Sequence, residues 1–240
     1  LVKENLILMK LEKKLFKNFE KRKINLITID GITCSGKSLF ANLLKKNLKR
    51  NFADIYILSK DLFLYPREKR IKITKKLKKI NTNQNELHYD LKRLKELFVF
   101  LFGKNEKSSI VLKNLYNRKT GKNDFKIKLN FLEKRLVIFE GIYVNEDVKF
   151  IKKPTLKILL IEQVYESLSR KIQRIRDKKI SIQAVVTEFV RIHLQSFKRH
   201  ITKNKFDITF IDKKRRFEKV KNGKNIQLKD IKTFLSKHLL

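Results

Sequence analysis

Residues 31–38 read Gly-Ile-Thr-Cys-Ser-Gly-Lys-Ser. The octet fits G-x-x-x-x-G-K-[ST], the spacing of a phosphate-cradling P-loop. Chemistry explains the residue types. Gly31 and Gly36 permit backbone shapes that a side chain would block, so several N–H groups can point at one phosphate. Gly31, Thr33, Cys34, Ser35, Gly36, Lys37, Ser38 and Leu39 are therefore the expected phosphate-binding stretch. The positive end of a following helix adds to the same field. Lys37 can place a point charge on the β- and γ-phosphates, and the Ser38 hydroxyl can ligate Mg²⁺. A chance glycine turn with a solvated lysine is the bland alternative.

Two acids further along could complete phosphoryl transfer. Asp61 follows the apolar run Asp-Ile-Tyr-Ile-Leu at 54–58, and Glu140 follows Leu-Val-Ile-Phe at 136–139. Mg²⁺ takes hard oxygen ligands and keeps several waters, so Ser38, Asp61 and Glu140 are its candidate ligands. Asp61 is also the candidate base for the proton of an acceptor hydroxyl. An aspartate after a strand can instead cap the next helix, and a glutamate there can be a surface residue. Arg170, Arg174 and Arg176 lie on one predicted helix and could stabilise charge on the transferring group. Arg170 and Arg174 share a face, whereas Arg176 points elsewhere. A solvated basic face competes with that reading, and which arginine acts is open.

These residues need elements to position them. An apolar, β-branched run at 24–30 precedes the loop, and Leu39, Phe40, Leu43, Leu44 and Leu48 follow at helical spacing. Strand, glycine loop, helix is the context the motif requires. Further short apolar runs at 54–58, 110–116, 136–139, 156–161 and 207–211 read as strands. Helical patterns fall at 87–101, 162–178, 182–201 and 227–239, and residues 66–86 read as loop or short helix. Strands alternating with helices imply an α/β fold of the P-loop NTPase type. Its parallel sheet would have helices on both faces and an arginine-bearing helical lid at about 165–203. Ligand loops then lie at the carboxyl ends of the strands, where the P-loop, Asp61 and Glu140 all fall. Residues 1–23 read as an amphipathic helix or extension, and 24–240 as one kinase domain.

The chain of 240 residues carries 60 Lys and Arg against 24 Asp and Glu, a formal charge of +36. Such an excess suits polyanions such as nucleic acid. The basic residues are scattered, however, and no zinc-finger spacing or aromatic RNA-binding signature accompanies them. Compositional drift with a nucleotide-binding face is favoured over dedicated nucleic-acid binding. One cysteine, Cys34, cannot form an internal disulfide, which fits a reducing compartment. No apolar run reaches the length of a membrane span, and residues 1–20 lack a signal-peptide core. A cytoplasmic protein without a membrane partner is expected; a homo-oligomer is left open. Asn204-Lys205-Phe206-Asp207 spells a guanine-reading motif, but it runs into a strand rather than following one, and reads as chance. His88, His193, His200 and His238 lack metal-ligand spacing and read as ordinary histidines.

Taken together, the landmarks resemble the uridine kinase family of P-loop kinases, relatives of phosphoribulokinase and pantothenate kinase. The P-loop comes first, then Leu58-Ser59-Lys60-Asp61-Leu62-Phe63, similar to S-x-D-x-F-Y. His88-Tyr89-Asp90-Leu91 resembles the A-F-D helix start. The stretch from Leu115 through Tyr116, Asn117 and Arg118 to Gly121-Lys122 resembles a Y-D-x-x-T-G-K turn. Val137-Ile138-Phe139-Glu140-Gly141-Ile142 is nearly V-I-F-E-G-I, and 168–177 resembles the arginine-rich lid. The resemblance implies ATP- or GTP-dependent phosphorylation of a nucleoside 5′-hydroxyl, with uridine or cytidine foremost. Asp61 would be the base, Ser38 and Glu140 would help hold Mg²⁺, and the Tyr116 loop would border the nucleoside. Departures fall on the acceptor side: Leu64 replaces a tyrosine, Gln84-Asn85-Glu86 replaces D-H-P, and no Arg-Gly follows Arg176-Asp177. Another small hydroxyl acceptor, such as pantothenate or a sugar phosphate, is the rival reading. A non-catalytic, nucleic-acid-binding relative is the other.

Overall fold

A computed structural model describes residues 24–49, 52, 54–77, 86–102, 109–130, 135–148, 156–162, 164–175, 181–213 and 216–219. At its centre is β1 (Ile24–Gly31), whose residues 25–31 are all buried. It pairs in parallel with β5 (Arg135–Gly141) on one side and β6 (Leu156–Glu162) on the other. β2 (Asp54–Ser59), β7 (Ile208–Lys213) and β8 (Arg216–Lys219) complete a six-stranded sheet of order β2-β5-β1-β6-β7-β8. Only β8 runs antiparallel to its neighbour.

Register places the chemistry. Ser59 pairs with Glu140, and Glu140 pairs with Ile29. Gly31 pairs with Leu160. The carboxyl ends of β2, β5, β1 and β6 therefore form one rim, with Asp61, Glu140, the P-loop and Glu162 beside one another.

Alternation along the strands builds two cores. Ile27, Ile29, Leu136, Ile138, Ile158 and Leu160 pack on one face against α1 (Lys37–Leu48), which contributes Phe40, Ala41, Leu44 and Leu48. Phe40 meets Phe210 of β7 with ring centroids 4.9 Å apart. Leu26, Val137 and Phe139 face the other way, against Leu94, Leu97, Phe98 and Leu101. Those four recur at helical spacing in α3 (Leu91–Phe102). A separate antiparallel ribbon, β3 (Ser109–Leu115) and β4 (Phe125–Asn130), adds Leu112, Leu115 and Leu129 to that face. Helices thus cover both faces of a mostly parallel sheet, as expected.

Several local expectations need correction. Residues 66–86 include a full helix, α2 (Arg67–Leu77), entered through Pro66, whose carbonyl accepts the Arg70 N–H at 3.0 Å. It was hidden because it carries no apolar stripe; Ile71 is exposed. Leu87 belongs to a 3-10 turn (Glu86–His88) ahead of α3 and is exposed. Glu162 ends β6 instead of opening a helix, and α5 spans Val164–Ile175. The helical stretch expected at 182–201 is helical throughout, as α6 (Ile182–Glu188), a π-type turn (Phe189–Leu194) and α7 (Gln195–Lys203). The ribbon partner β4 and edge strand β8 were not anticipated. The helix or extension expected at 1–23 and the helix expected at 227–239 lie outside the described residues, as does Arg176. Among the described residues no helix is long and apolar enough to cross a membrane.

One buried carboxylate ties the rim together. Asp30 is fully buried and accepts the Val144 and Asn145 N–H groups at 2.8 and 3.1 Å. These open α4 (Val144–Val148), the short helix after Glu140. His200 on α7 sets Nε2 3.3 Å from Asp30 Oδ1 and Nδ1 2.7 Å from Glu146 Oε1. Burial alone would lower the imidazole pKa, but Asp30 and Glu146 outweigh it and raise the value from 6.5 to about 9. A histidine pKa raised by folding adds stability that is whole below 6.5 and is lost as pH rises through about 9. The shift corresponds to roughly 3 kcal/mol. Wild type should therefore lose stability between pH 6.5 and 9 in urea melts. His200→Gln should be less stable at pH 7 and lack that decline; an unchanged pH profile would contradict the ion-pair assignment.

Candidate functional site

The loop between β1 and α1 has the geometry its glycines predict. Gly36 takes φ 82°, the left-handed region that a side chain disfavours. Cys34 also takes a positive φ, 62°, and the Ser35 N–H bonds back to the Ile32 carbonyl at 3.2 Å. Gly31 is required for space: a Cβ there would lie 2.6 Å from the Leu160 carbonyl oxygen and 2.6 Å from Ser35 Oγ.

Lys37 is folded into this loop. Its Nζ donates to the carbonyls of Gly31 (3.0 Å) and Ile32 (2.6 Å) and to Ser35 Oγ (3.4 Å). Burial pushes its pKa down, opposed by the charge of Glu140. The next residue, Ser38, donates its hydroxyl to Glu140 Oε1 at 3.1 Å. A serine oxygen and a carboxylate meeting at the mouth of an amide-rich loop are hard oxygen donors, the kind magnesium takes alongside phosphate and water. The residues present fit that ion.

A cavity of about 270 Å³ opens over the loop, walled by residues 33–39, Asp61, Arg118, Glu140–Ile142, Arg170 and Arg174. Asp61 stands in the 3-10 turn (Lys60–Phe63) that follows β2. Its Oδ1 accepts the Tyr89 hydroxyl at 3.2 Å, and its Oδ2 pairs with the Arg118 guanidinium. Burial pushes the Tyr89 phenol pKa up, so the hydroxyl stays a donor. Beneath Asp61, Lys60 Nζ lies 2.7 Å from Asp147 Oδ2 and donates to the Ile142 carbonyl at 3.1 Å. Both side chains of that pair are nearly buried. Removing one partner of such a pair typically costs about 3–5 kcal/mol, so the turn carrying Asp61 is firmly fixed.

Arg170 crosses the cavity from α5. Its Nη1 donates to Glu162 Oε2 at 2.6 Å and to the Cys34 carbonyl at 3.3 Å. The same Glu162 oxygen accepts the Ser167 hydroxyl at 3.2 Å. The structure thus brings together the P-loop, Asp61, Glu140, Arg170 and Arg174. Tyr116 is placed behind the wall: it is buried, and its hydroxyl accepts Arg70 Nη2 at 2.6 Å. Sequence reasoning missed the contacts of Arg118, Tyr89 and Glu162. Arg118 and Tyr89 lie inside the 115–122 and 88–91 motifs; Glu162 carries no local signal beyond closing an apolar run. Asn204-Lys205-Phe206-Asp207 serves structure instead. Asn204 donates to Glu146 at 3.2 Å, and the Asp207 carboxylate accepts the Lys157 N–H at 2.8 Å.

A P-loop leaving the central strand of a parallel sheet, with an aspartate and a glutamate on the same rim, has the architecture of a P-loop kinase. The chain belongs to the Phosphoribulokinase / Uridine kinase family, whose model matches residues 26–215. Solved structures share the fold. A D-glycerate 3-kinase from Cryptococcus neoformans aligns with TM-score 0.65 at 11% identity, covering 90% of this chain and 99% of its own. A candidate fructose transport system kinase from Silicibacter sp. TM1040 gives 0.62 at 20% identity, covering 84% and 98%. A possible uridine kinase from Bacillus stearothermophilus gives 0.55 at 13%, covering 83% and 98%. No curated protein sequence matches the chain.

The crowding at Gly31 yields a direct check. Gly31→Ala should lower the unfolding temperature and weaken binding of a fluorescent ATP analogue at least tenfold, since the Leu160 backbone cannot move aside. Unchanged affinity would contradict this loop geometry.

Proposed function

We propose that the protein is a magnesium-dependent kinase that transfers the γ-phosphoryl group of ATP or GTP to a hydroxyl of a small molecule. The observation that carries this reading is the single cavity shared by Lys37, Ser38, Asp61 and Glu140. The loop amides and Lys37 would receive the β- and γ-phosphates, with Lys37 exchanging its carbonyl partners for phosphate oxygens. Ser38 and Glu140 would hold Mg²⁺, with Asp61 within the same wall as a further oxygen ligand. When bound, the ion supplies charge neutralisation and alignment of the phosphates.

Asp61 acts as the base. The acceptor oxygen forms a bond to the γ-phosphorus, the bond to the β-phosphate oxygen breaks, and the hydroxyl proton passes to the Asp61 carboxylate. The Tyr89 hydroxyl and the fixed Lys60 turn hold that carboxylate in place. Arg170 and Arg174 face the transferring group and offset its charge, with Glu162 orienting Arg170. In this reading residues 24–240 work as one kinase domain in the cytoplasm, with the helices at about 165–203 as its lid. Uridine and cytidine are the first acceptors to assay, because the Asp61 and Glu140 segments resemble those of uridine kinases.

Asp61→Asn should lower kcat by about 10²-fold or more while Mg–ATP still binds, as expected for loss of a general base. Product formation from labelled ATP and calorimetric titration read the two effects separately. Full turnover in that variant would remove Asp61 from the role.

A further inference from the structure

We propose that Arg118 is a further catalytic residue: it leaves Asp61 for the γ-phosphate of a bound triphosphate, and so frees the base only when a phosphoryl donor is in place. The proposal rests on the kinase reading above and deepens it at the same cavity.

Both oxygens of the proposed base are engaged. Oδ1 accepts the Tyr89 hydroxyl, and Oδ2 pairs with the Arg118 guanidinium. An acceptor hydroxyl must itself donate to this carboxylate, so one of the two contacts has to yield. The partners differ in how firmly they are held. Tyr89 is half-buried, with Lys60 Nζ 4.7 Å from its ring centroid. The Arg118 side chain is 63% exposed, and an ion pair so exposed is weakly held. Arg118 is the partner that yields.

Its backbone, by contrast, is fixed. The Tyr116 N–H donates to the Leu62 carbonyl, next to Asp61, at 2.8 Å. The Gly121 N–H donates to the Asn117 carbonyl at 2.8 Å, and the Gly121 carbonyl accepts the Arg67 N–H at 3.0 Å. Gly121 permits this closure with φ 75°. The turn is thus anchored beside Asp61, and only the side chain has to rotate.

That side chain already lines the phosphate cavity. Arg118 and residues 33–39 wall the same space of about 270 Å³. Burial leads the lowering of the Lys37 pKa, and the charge of Arg118 adds to it. In the sheet order β2-β5-β1-β6, Asp61 follows β2 and Arg170 comes from α5 after β6, with the P-loop of β1 between them. Arg118 therefore approaches from the base side and Arg170 from the opposite side. In the kinase reading the acceptor hydroxyl reaches the γ-phosphorus from Asp61, so the γ-phosphate is the anion presented to Arg118. A diphosphate presents none there. The guanidinium fork matches two phosphate oxygens and offsets their charge as transfer proceeds. Asp61 Oδ2, once released, accepts the hydroxyl proton.

The test measures nucleotide affinity of the full chain with magnesium by calorimetry, at about 0.15 M salt, where charges more than about 8 Å apart are largely screened. The probes are ADP and a non-hydrolysable ATP analogue. Arg118→Gln should weaken the ATP analogue about tenfold, the worth of one charge-assisted hydrogen bond, and leave ADP within about twofold. Arg118→Lys keeps the charge but not the fork and should fall between. Lys119→Gln removes a charge from the same turn outside the cavity wall and should change neither affinity. With Asp61→Asn, Arg118 has no ion pair to give up, so its removal should cost about two- to fivefold more, the worth of an exposed ion pair. Equal losses for both nucleotides, no loss for either, or the same loss in Lys119→Gln would overturn the phosphate contact. A loss unchanged by Asp61→Asn would overturn the exchange with the base. Each of these leaves the kinase reading standing, whereas a wild-type chain that binds neither nucleotide would remove that reading itself.

Discussion

Much of the site depends on the buried carboxylate of Asp30. It is the last side chain before the P-loop, and it accepts two backbone N–H groups from the turn that follows Glu140. The tips of β1 and β5 are thereby locked together, at the point where Ser38 reaches Glu140. His200 brings α7 to the same anchor. A buried carboxylate is tolerable only when its oxygens are satisfied, and here two amides of the turn and the His200 side chain on α7 lie against them. Assembly of the rim and satisfaction of Asp30 are thus the same event.

Above that anchor, charges are arranged around the cavity in a consistent way. Lys37 rests on loop carbonyls, Arg170 on Glu162 and Cys34, and Arg118 on Asp61. Each cation is held by a local oxygen that an incoming phosphate can replace. Such exchange costs less than exposing a bare buried charge, and it keeps the groups close to where they are needed. Glu162 is the least replaceable of these oxygens, since its side chain is fully buried and also receives Ser167.

The contiguous parts of this arrangement were legible in the sequence. The P-loop's residue types follow from its chemistry, and the buried strands stand out as unbroken apolar runs that end at Asp61 and Glu140. What escaped depended on distant partners or on weak patterning. Arg118 reaches Asp61 across a separation of 57 residues, which no local spacing reveals. α2 has no apolar stripe, and β4 is mostly exposed, so periodicity had little to detect. Glu162 adjoins the helical pattern that runs on to 178, whereas pairing with Asp212 keeps it in the sheet. His200 looked ordinary, because its role lies in Asp30 and Glu146, both far away in the chain.

The most direct test of the central claim is a crystal structure of the chain with magnesium and a non-hydrolysable ATP analogue. The account predicts the β- and γ-phosphates on the amides of 31–38, Lys37 Nζ moved from the Ile32 carbonyl to phosphate oxygen, and the metal beside Ser38 Oγ and Glu140. A nucleotide bound elsewhere, with Lys37 still on the loop carbonyls and Ser38 still on Glu140, would contradict it.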